Sequence, residues 1–549
     1  MDHIKILNQI KDKKNLKKAF HYAYYDRIHS DFFFDYFEME YVKKNEDKII
    51  DELNEELNNI ENYTQRPAYS YYPPKNDLCF RRMIYIPFKD LVIRYAFVTV
   101  IADLLDNELS TNCFANRRAK EKQAKISLLE DFAEESWPKF CEWQKRCLEN
   151  SELLLRTDIS SFYDSISHAY LTNIIAKELS IDINSDVIKL FKKILAIPVI
   201  SYSLYNKKVQ EPEVMRQGLP IGNSTEGFLA NIYLKNVDET MGEMQGINFG
   251  RYNDDMRIFG KKRKSVLEAM LVLQELLLAK GLNLNAGKTQ IAENKEDIDR
   301  LRTKIYDVSG NYIEEEYEIK IKKNNIKDKV DRNFDEFDRK FEADETLENN
   351  SDAKDYCKFL SVVNNKGEEL LAHYKRTPEH IKNLEKIVIK WAGSSRHAIW
   401  LIVQSAFYEG IKADTQRKAR RIIFDLLRND DVSSYGKYRL IHHMIKSRKN
   451  DKKTEFKFLD KLSKKERDLL VEIVPEFLGR SAFELNLIGL YLLKSLGSYD
   501  LKKYVKDCLL KPVGEPIKNA LFYVSEPTDI DKPLIDSTDK EADNMPSPY

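Results

Sequence analysis

The sequence predicts an α+β fold in which an antiparallel sheet with packed helices is followed by an all-α region. Two short apolar strands flank a tight acidic turn at residues 252–255, and an apolar run at 153–155 leads into a second acidic cluster. Beyond residue 350, apolar residues recur at the spacing of amphipathic helices. These observations predict a mixed region that carries a site, with a helical region after it.

Composition is compatible with such a fold but does not select it. The 549 residues can bury two or more cores, and 42% hydrophobic with 32% charged residues is typical of a globular chain. No apolar run reaches the length of a membrane span, and the first residues lack the features of a signal peptide, so we expect a cytoplasmic location and no membrane contact. Six scattered cysteines form no zinc-binding spacing, and we predict no structural metal.

The most informative stretch is the turn Tyr252-Asn253-Asp254-Asp255. Adjacent carboxylates repel and raise each other's pKa unless a cation lies between them. A further carboxylate, Asp158, follows the apolar run about ninety residues upstream. Together they predict a site for two Mg²⁺ ions, with Mn²⁺ as the alternative. Each cluster taken alone is equally compatible with an ordinary acidic turn, because Asn-Asp is a common turn pair.

Other elements stand in a fixed order around the acidic clusters. A glycine-rich turn at 216–224 contains Gln217 and Gly218 and leads into a helical run at 225–241. An amphipathic helix at 266–280 precedes a turn at 281–289, and a strand-like segment with Arg82 at its head lies upstream. Each of these elements alone is weak evidence for a function, but their occurrence in this order is strong evidence.

In this ordered set the chain resembles the reverse transcriptases, over roughly residues 75–292. The resemblance implies a right-hand polymerase with palm and fingers that transfers nucleotides from dNTPs. Asp158, Asp254 and Asp255 would then be catalytic metal ligands. Substrate-binding roles are implied for five further residues: Arg82, Tyr163, Gln217, Gly218 and Lys288.

The implied roles differ from residue to residue. Arg82 would contact the triphosphate, while Gln217 and Gly218 would line the nucleotide and template pocket. The Tyr163 ring would collide with a ribose 2′-hydroxyl and so favour dNTPs. Lys288 would neutralise departing pyrophosphate, although a surface lysine after a turn is about as good an interpretation.

Palm and fingers joined to a long helical extension look most like the bacterial abortive-infection and defence-associated reverse transcriptases. That resemblance implies antiviral defence, homo-oligomeric assembly, an RNA template or noncoding RNA, a DNA product and, in some members, protein priming or no template. Two alternatives stay open: a noncatalytic nucleic-acid-binding or assembly protein, and an RNA-dependent RNA polymerase. Tyr163 and the Tyr-Asn-Asp-Asp form of the turn argue against the RNA polymerase.

The formal net charge is zero, with 89 basic and 89 acidic residues, so nucleic-acid contact would depend on local basic surfaces. We rank two as the expected contacts because they flank the inferred cleft: Arg117-Arg118 with Lys120 and Lys122, and the run Lys261-Lys262-Arg263-Lys264.

The predicted domains are fingers and palm at 1–300, a charged connector at 301–350, a helical, HEAT-like domain at 351–524 and an acidic tail at 525–549. An irregular bundle is nearly as good a prediction for the helical domain, because no strict repeat is visible. The tail offers Ser537, Thr538, Ser547 and Tyr549 as priming hydroxyls, although a solvating acidic tail is the favoured interpretation.

Overall fold

The structure is a computed structural model that describes residues 2–30, 33–75, 79–120, 123–131, 135–201, 212–294, 297–298, 301, 357, 376–390, 392–408, 410–445, 447–448, 455–456, 458–476 and 483–497. Apart from residue 301, the predicted connector at 301–350 lies outside these residues, as does the predicted tail at 525–549, and the predicted domain bounds stay predictions. None of the helices described is long and apolar enough to cross a bilayer.

Helices and short strands alternate through residue 292, which confirms a mixed α+β fold. The helices are α1 (His3–Lys11), α2 (Lys13–His29), α3 (Tyr36–Lys44), α4 (Glu46–Asn58), α5 (Phe88–Leu105), α6 (Trp137–Glu149), α7 (Phe162–Ser165), α8 (His168–Leu179), α9 (Asp186–Leu195), α10 (Ser224–Glu243) and α11 (Arg263–Leu278). The strands are β1 (Ala68–Tyr71), β2 (Met83–Tyr85), β3 (Leu153–Asp158), β4 (Pro198–Ser201), β5 (Glu213–Val214), β6 (Ile247–Tyr252), β7 (Asp255–Gly260) and β8 (Gln290–Ala292).

The sheet that carries the acidic residues has the order β6-β7-β3-β8, and its neighbouring strands are antiparallel. The β6–β7 hairpin pairs Tyr252 with Asp255, so its tight turn consists of Asn253 and Asp254. Asn253 has a φ of +54°, a left-handed conformation that asparagine adopts more readily than most residues. The sequence therefore forms the predicted hairpin because its turn residues allow the sharp reversal.

One face of this sheet is packed against long helices. Helix α10 contacts β6, α5, α8 and α11, and α11 contacts β3, β6 and β7. The predicted helices at 225–241 and 266–280 correspond to α10 and α11. The sequence at 91–109 predicts an amphipathic helix, and this is wrong: α5 is buried nearly all round, including the charged Asp90 and Arg94. A helix enclosed by neighbours does not need a polar face, provided that its buried charges have partners.

A second sheet has the order β2-β1-β4-β5 and contains the strand after Arg82. The sequence predicts a palm hairpin at 199–209, but β4 pairs with β5 in this second sheet, with Val199 opposite Glu213. The assignment to the palm is therefore wrong. The predicted turn itself lies outside the described residues. Strand β4 also runs parallel to β1, which a local sequence pattern does not reveal.

The C-terminal part of the chain is helical where it is described. Its α-helices are Pro378–Lys390, Ala392–Phe407, Ala413–Arg428, Ser434–Ile445, Lys464–Ile473 and Phe483–Ser495. A two-stranded ladder also pairs Ser447–Arg448 with Glu455–Phe456. The two apolar stripes that the sequence predicts are buried where they are described: Ile381, Leu384, Ile387 and Val388, and Ala419, Ile422, Ile423 and Leu426. Trp391 of the first stripe lies outside the described residues. The HEAT-like arrangement of these helices stays a prediction.

An aromatic cluster joins this helical region to the N-terminal helices and the second sheet. The buried ring of Phe33 has its centroid 5.6 Å from Tyr71 and 4.9 Å from Tyr85 on the sheet side. On the helical side it lies 5.5 Å from Tyr438 and 5.3 Å from Phe483. Such contacts make the two regions share one hydrophobic core.

Candidate active site

Strand register brings the acidic residues together at one end of the first sheet. Asp158 and Asp255 are directly opposite each other in the β3–β7 pair. The backbone amide of Ile159 donates to the carbonyl of Asp254 at 3.2 Å, which fixes the hairpin turn against the end of β3. Residues about ninety positions apart in the sequence therefore become neighbours.

Asp254 lies in an environment that disfavours its charged form. Burial and, after it, the negative charge of Asp158 raise the pKa of Asp254 to about 6, while its own backbone amide and Lys288 oppose the rise. Within the part of the chain that is described, no cationic side chain lies within 4 Å of this carboxylate. Asp254 is thus a partly buried acid facing another acid, an arrangement that a cation would stabilise.

Asp255 has a different environment from its neighbour in the sequence. The buried guanidinium of Arg257 donates to both oxygens of its carboxylate, at 2.5 and 2.8 Å. Arg156 lies 3.4 Å from the same carboxylate. Because Arg156, Asp158, Asp255 and Arg257 occupy opposed positions of one antiparallel pair, their side chains emerge on the same face. Asp255 is therefore held by arginines.

Asp158 is hydrogen-bonded to residues of the turn that follows α11. Its carbonyl accepts from the Asn285 amide at 2.7 Å, and its carboxylate accepts from Lys288 Nζ at 2.9 Å and Asn285 Nδ2 at 3.4 Å. The Lys288 side chain is 59% exposed, so it is free to turn toward solvent. The structure thus places Lys288 beside the carboxylates, at a position where it supplies positive charge.

The donor chemistry of the cluster suits a hard divalent cation. Asp158 and Asp254 offer carboxylate oxygens, and Mg²⁺ needs only one or two of these because it retains waters and takes substrate phosphates. Among the described residues, no group of three or more His, Cys, Asp or Glu side chains is close enough to form a metal site. Arg257 engages both carboxylate oxygens of Asp255, so of the three predicted ligands Asp158 and Asp254 are the more open to a cation.

The glycine-rich segment lies against the turn after β3. The amides of Gly218 and Leu219 donate to the carbonyls of Ile166 and Tyr163, both at 2.8 Å. Gly218 has a φ of +86°, and a Cβ there would come within 3.1 Å of the Asp164 carbonyl oxygen. Only glycine permits this approach without strain. Gln217, next to it, is exposed.

Tyr163 and Arg82 are the remaining predicted site residues. The Tyr163 ring is half-buried, and its pKa is raised first by burial and then by the charge of Asp254, so the hydroxyl faces the acidic turn. Arg82 is exposed and lowers the pKa of Asp164, against the larger opposing effect of burial. Asp164 follows Tyr163 directly, and Arg82 therefore lies on the same side of the structure.

Contacts on both faces of the β6–β7 hairpin hold it in place. Arg251, fully buried in β6, donates to Asp238 of α10 at 2.8 Å through Nε and also contacts its second oxygen. On the outer side, the Trp137 ring packs edge-on against Tyr252 with 4.9 Å between centroids. The hydroxyls of Tyr252 and Ser136 are hydrogen-bonded at 2.9 Å. The hairpin is therefore anchored from both faces.

In the first of the two ranked basic surfaces, the two arginines are paired inside the fold, whereas Lys120 is exposed and Lys122 lies outside the described residues. Arg117 donates to Asp106 at 3.0 Å, and Arg118 is buried and donates to Asp103 at 2.7 Å. Their charges are used inside the fold. The run at 261–264 is exposed at the start of α11, although Arg263 pairs with Glu293 at 2.6 Å.

Sequence reasoning missed three side chains that shape this site: Arg257, Asn285 and Asn116. The first two bind Asp255 and Asp158, and Asn116 donates through Nδ2 to Asn253 Oδ1 in the acidic turn. For Arg257 a signal existed, since a charged residue alternates with apolar ones two positions after Asp255. No sequence pattern marked Asn116, which is 137 residues away from Asn253.

Comparison with known proteins agrees with this geometry. The sequence model of one family, described as reverse transcriptase (RNA-dependent DNA polymerase), matches residues 77–361, which is more than half of the chain. The chain belongs to the reverse transcriptase family. All eight predicted site residues lie inside the matched reverse transcriptase domain, which also runs through the predicted connector.

Among solved structures, the chain is similar to apo telomerase from Candida tropicalis truncated from its C-terminal domain, with 14% identity and a TM-score of 0.32. The similarity covers 42% of this chain and 52% of that one, so the chain spans about half the length of this relative. No curated protein matches the chain.

Family membership fixes the class of the domain. The family is described as reverse transcriptase (RNA-dependent DNA polymerase), which places the matched region in the nucleotidyltransferase class. Polymerases of this family use divalent metal ions.

Proposed function

We propose that this protein is a DNA polymerase that adds dNTPs to a growing DNA end, directed by RNA or acting without a template. The observation that carries the proposal is the pair Asp158 and Asp254, which face each other at the hairpin tip beside Tyr163. Two partly buried acids with so little compensating charge are unfavourable in a purely structural role. They suit a place where cations and phosphates bind.

Asp158 and Asp254 would hold two divalent ions, and Asp255 would join them as a ligand once its carboxylate is released by Arg257. When bound, such ions neutralise phosphate charge and favour deprotonation of an attacking 3′-hydroxyl. Asn285 holds Asp158 in place through both its backbone and its side chain. The Ile159 amide bound to the Asp254 carbonyl fixes the distance between the two strands.

The neighbouring residues would bind the nucleotide. Gly218 exposes backbone without a side chain, which lets a base or sugar approach closely. Lys288 would leave Asp158 when cations arrive and then neutralise the departing pyrophosphate. Arg82, on the Asp164 side, would contact the triphosphate.

Selection of dNTPs over rNTPs is assigned to Tyr163. A half-buried ring held beside the acidic turn has little freedom to move away from a 2′-hydroxyl. Discrimination against an extra hydroxyl needs such a steric clash, because an apolar pocket alone rejects it weakly.

The decisive test is nucleotide incorporation by Asp254→Asn, which keeps the size of the side chain but removes its charge. Loss of metal-dependent stabilisation worth several kcal/mol lowers the rate by about a thousandfold or more. Glu243→Gln, a change at an exposed acid at the end of α10, is the matched control and should retain full activity. Wild-type rates for Asp254→Asn would contradict the site, and preferred use of rNTPs by the unchanged chain would favour an RNA polymerase.

We further propose a role in bacterial antiviral defence, with the helical region serving for homo-oligomeric assembly or for holding a noncoding RNA. Support comes from the resemblance of the whole arrangement, palm and fingers followed by a long helical region, to the defence-associated members of the family. Phage plating on cells that carry wild type or Asp254→Asn tests it. Equal plating efficiencies, at equal protein levels, would contradict the proposed role.

Priming by a protein hydroxyl remains part of this proposal, and Ser537, Thr538, Ser547 and Tyr549 lie outside the described residues. Mass spectrometry of the purified protein for a covalent DNA adduct, with sequencing of co-purified RNA, tests priming and templating together. An adduct on any other residue would remove the tail from consideration.

A further inference from the structure

Asn116 lies where the loop after α5 crosses α10, next to the acidic turn. Its φ is +54°, in the left-handed region that asparagine tolerates better than most residues. Asn231 of α10 donates through Nδ2 to the carbonyls of Ala115 at 2.7 Å and Asn116 at 3.3 Å. The backbone of Asn116 is therefore fixed to a helix of the core.

The Asn116 side chain is enclosed between α10 and the turn. Its Nδ2 donates to Asn253 Oδ1. On the other side it packs against Gly227 so closely that a Cβ there would lie 2.4 Å from Asn116 Cγ and 2.6 Å from its Oδ1. Gly227 thus provides the space that the amide occupies.

Asn253 determines the shape of the acidic turn, because it has a φ of +54° and immediately precedes Asp254. Arg251 Nη1 donates to the Asn253 carbonyl at 3.0 Å. The Asn253 side chain is held by Asn116 and its backbone by Arg251. A change at either contact would alter the direction in which Asp254 leaves the turn.

The same amide also faces Tyr163. Burial raises the pKa of the Tyr163 hydroxyl most, the charges of Asp254 and Glu226 raise it further, and hydrogen bonding to the Asn116 side chain lowers it. The amide nitrogen of Asn116 carries two N–H donors, so it can donate to the Tyr163 hydroxyl oxygen, as the lowering of the pKa requires, and to Asn253 Oδ1.

We propose that Asn116 is a positioning residue that holds the Tyr163 ring and the turn at 252–255 in one fixed relation, so that discrimination between dNTPs and rNTPs depends on it. This inference rests on the proposed function, since the Tyr163 ring discriminates only if a nucleotide is incorporated beside it. Asn116 acts through Tyr163 and Asn253. Without its amide, the ring can shift and admit a 2′-hydroxyl.

The test compares Asn116→Gly, Gly227→Ala and the double variant in the full chain. Glycine at 116 keeps the left-handed backbone without strain, and alanine at 227 displaces the Asn116 amide. We expect each single change to lower the ratio of kcat/KM for dATP to that for ATP by about tenfold, which is the effect of one hydrogen bond. The double variant should fall no further, because alanine at 227 then meets no amide.

A matched control exists on the same helix. Asn112 packs against Gly242 as Asn116 does against Gly227, with a Cβ at Gly242 2.4 Å from Asn112 Nδ2. This pair is 15 residues farther along α10, or roughly 22 Å from Gly227. Asn112→Gly and Gly242→Ala should leave the nucleotide ratio unchanged, while thermal unfolding reports whether each variant is folded.

The outcomes separate the two proposals. A wild type that incorporates no nucleotide contradicts the proposed function and this inference with it. A wild type that discriminates, with folded Asn116 and Gly227 variants that discriminate equally well, overturns this inference alone. An equal fall in the ratio for the Asn112 and Gly242 variants, or additive losses in the double variant, also overturns it.

Discussion

Substitution of Asp254 and substitution of Asp255 should change the stability of the fold in opposite directions. Asp255 compensates the buried guanidinium of Arg257, whose side chain is only 1% exposed, whereas Asp254 faces the carboxylate of Asp158. We therefore expect Asp255→Ala to destabilise the fold and Asp254→Ala to stabilise it in metal-free buffer. Activity should follow a different order, with Asp254→Ala the more severely impaired when both variants are folded.

The structure sets the size of each effect. Removal of one partner of a buried ion pair costs about 3 to 5 kcal/mol, because it leaves an uncompensated charge. For a domain of about this size that lowers Tm by roughly 10 °C. Burial and Asp158 raise the pKa of Asp254 from 3.8 to about 6, so its charged form at pH 8 costs at most about 3 kcal/mol. Asp254→Ala recovers part of that cost.

Thermal unfolding followed by circular dichroism, at pH 8 with EDTA, measures both effects. The matched control is Asp255→Ala combined with Arg257→Met, which removes both charges and should recover most of the lost stability. A Tm that falls equally for Asp254→Ala and Asp255→Ala would refute this assignment of charges. So would a double variant that is no more stable than Asp255→Ala.

Three further predictions follow from other contacts. Tyr163→Val should raise rNTP incorporation relative to dNTP incorporation by about tenfold or more in a single-nucleotide assay, because the clash with a 2′-hydroxyl is lost. An unchanged ratio in a variant that thermal unfolding shows to be folded would contradict the assigned role. Phe33→Ala should lower the free energy of unfolding, measured by urea titration, by about 3 to 5 kcal/mol, because it empties the centre of the aromatic cluster. A loss below about 1 kcal/mol would mean that the second sheet and the C-terminal helices do not share a core. Burial raises the pKa of Glu484 to about 7, so the free energy of unfolding should fall by about 3 kcal/mol as pH rises from about 4.5 to 7. Glu484→Gln should reduce that fall, and an identical pH profile for the variant would contradict the prediction.

The features that the sequence predicts well are those encoded by local chemistry. The hairpin at Asn253 and Asp254 depends on turn residues that stand next to each other, and the strand before Asp158 is a plain apolar run. Helices α10 and α11 carry apolar residues at helical spacing, and their predicted bounds differ from the observed ones by a few residues. Each of these signals is contained in about twenty residues, so no tertiary contact was needed to detect it.

What the sequence could not predict depends on contacts between distant residues. Arg117 and Arg118 read as a basic surface, yet they bond Asp106 and Asp103 because the loop folds back on the end of α5. Phe34 donates its amide to the Tyr438 hydroxyl at 2.9 Å across 404 positions. A charged side chain looks the same in a sequence whether it faces solvent or a buried partner, and only the fold decides between them.

The distribution of charge explains how a chain with equal numbers of acids and bases can concentrate negative potential at one point. Three buried arginines near the turn each have a carboxylate partner: Arg251 with Asp238, Arg94 with Glu226 and Arg257 with Asp255. The field of a close pair falls off steeply with distance, so these six charges contribute little beyond their own contacts. In the described residues around the turn, Asp158 has the exposed Lys288 as its ion-pair partner, and Asp254 has no cation within 4 Å. The uncompensated charge therefore lies where Asp158 meets Asp254, and a divalent cation is attracted to that position without any net acidity of the protein.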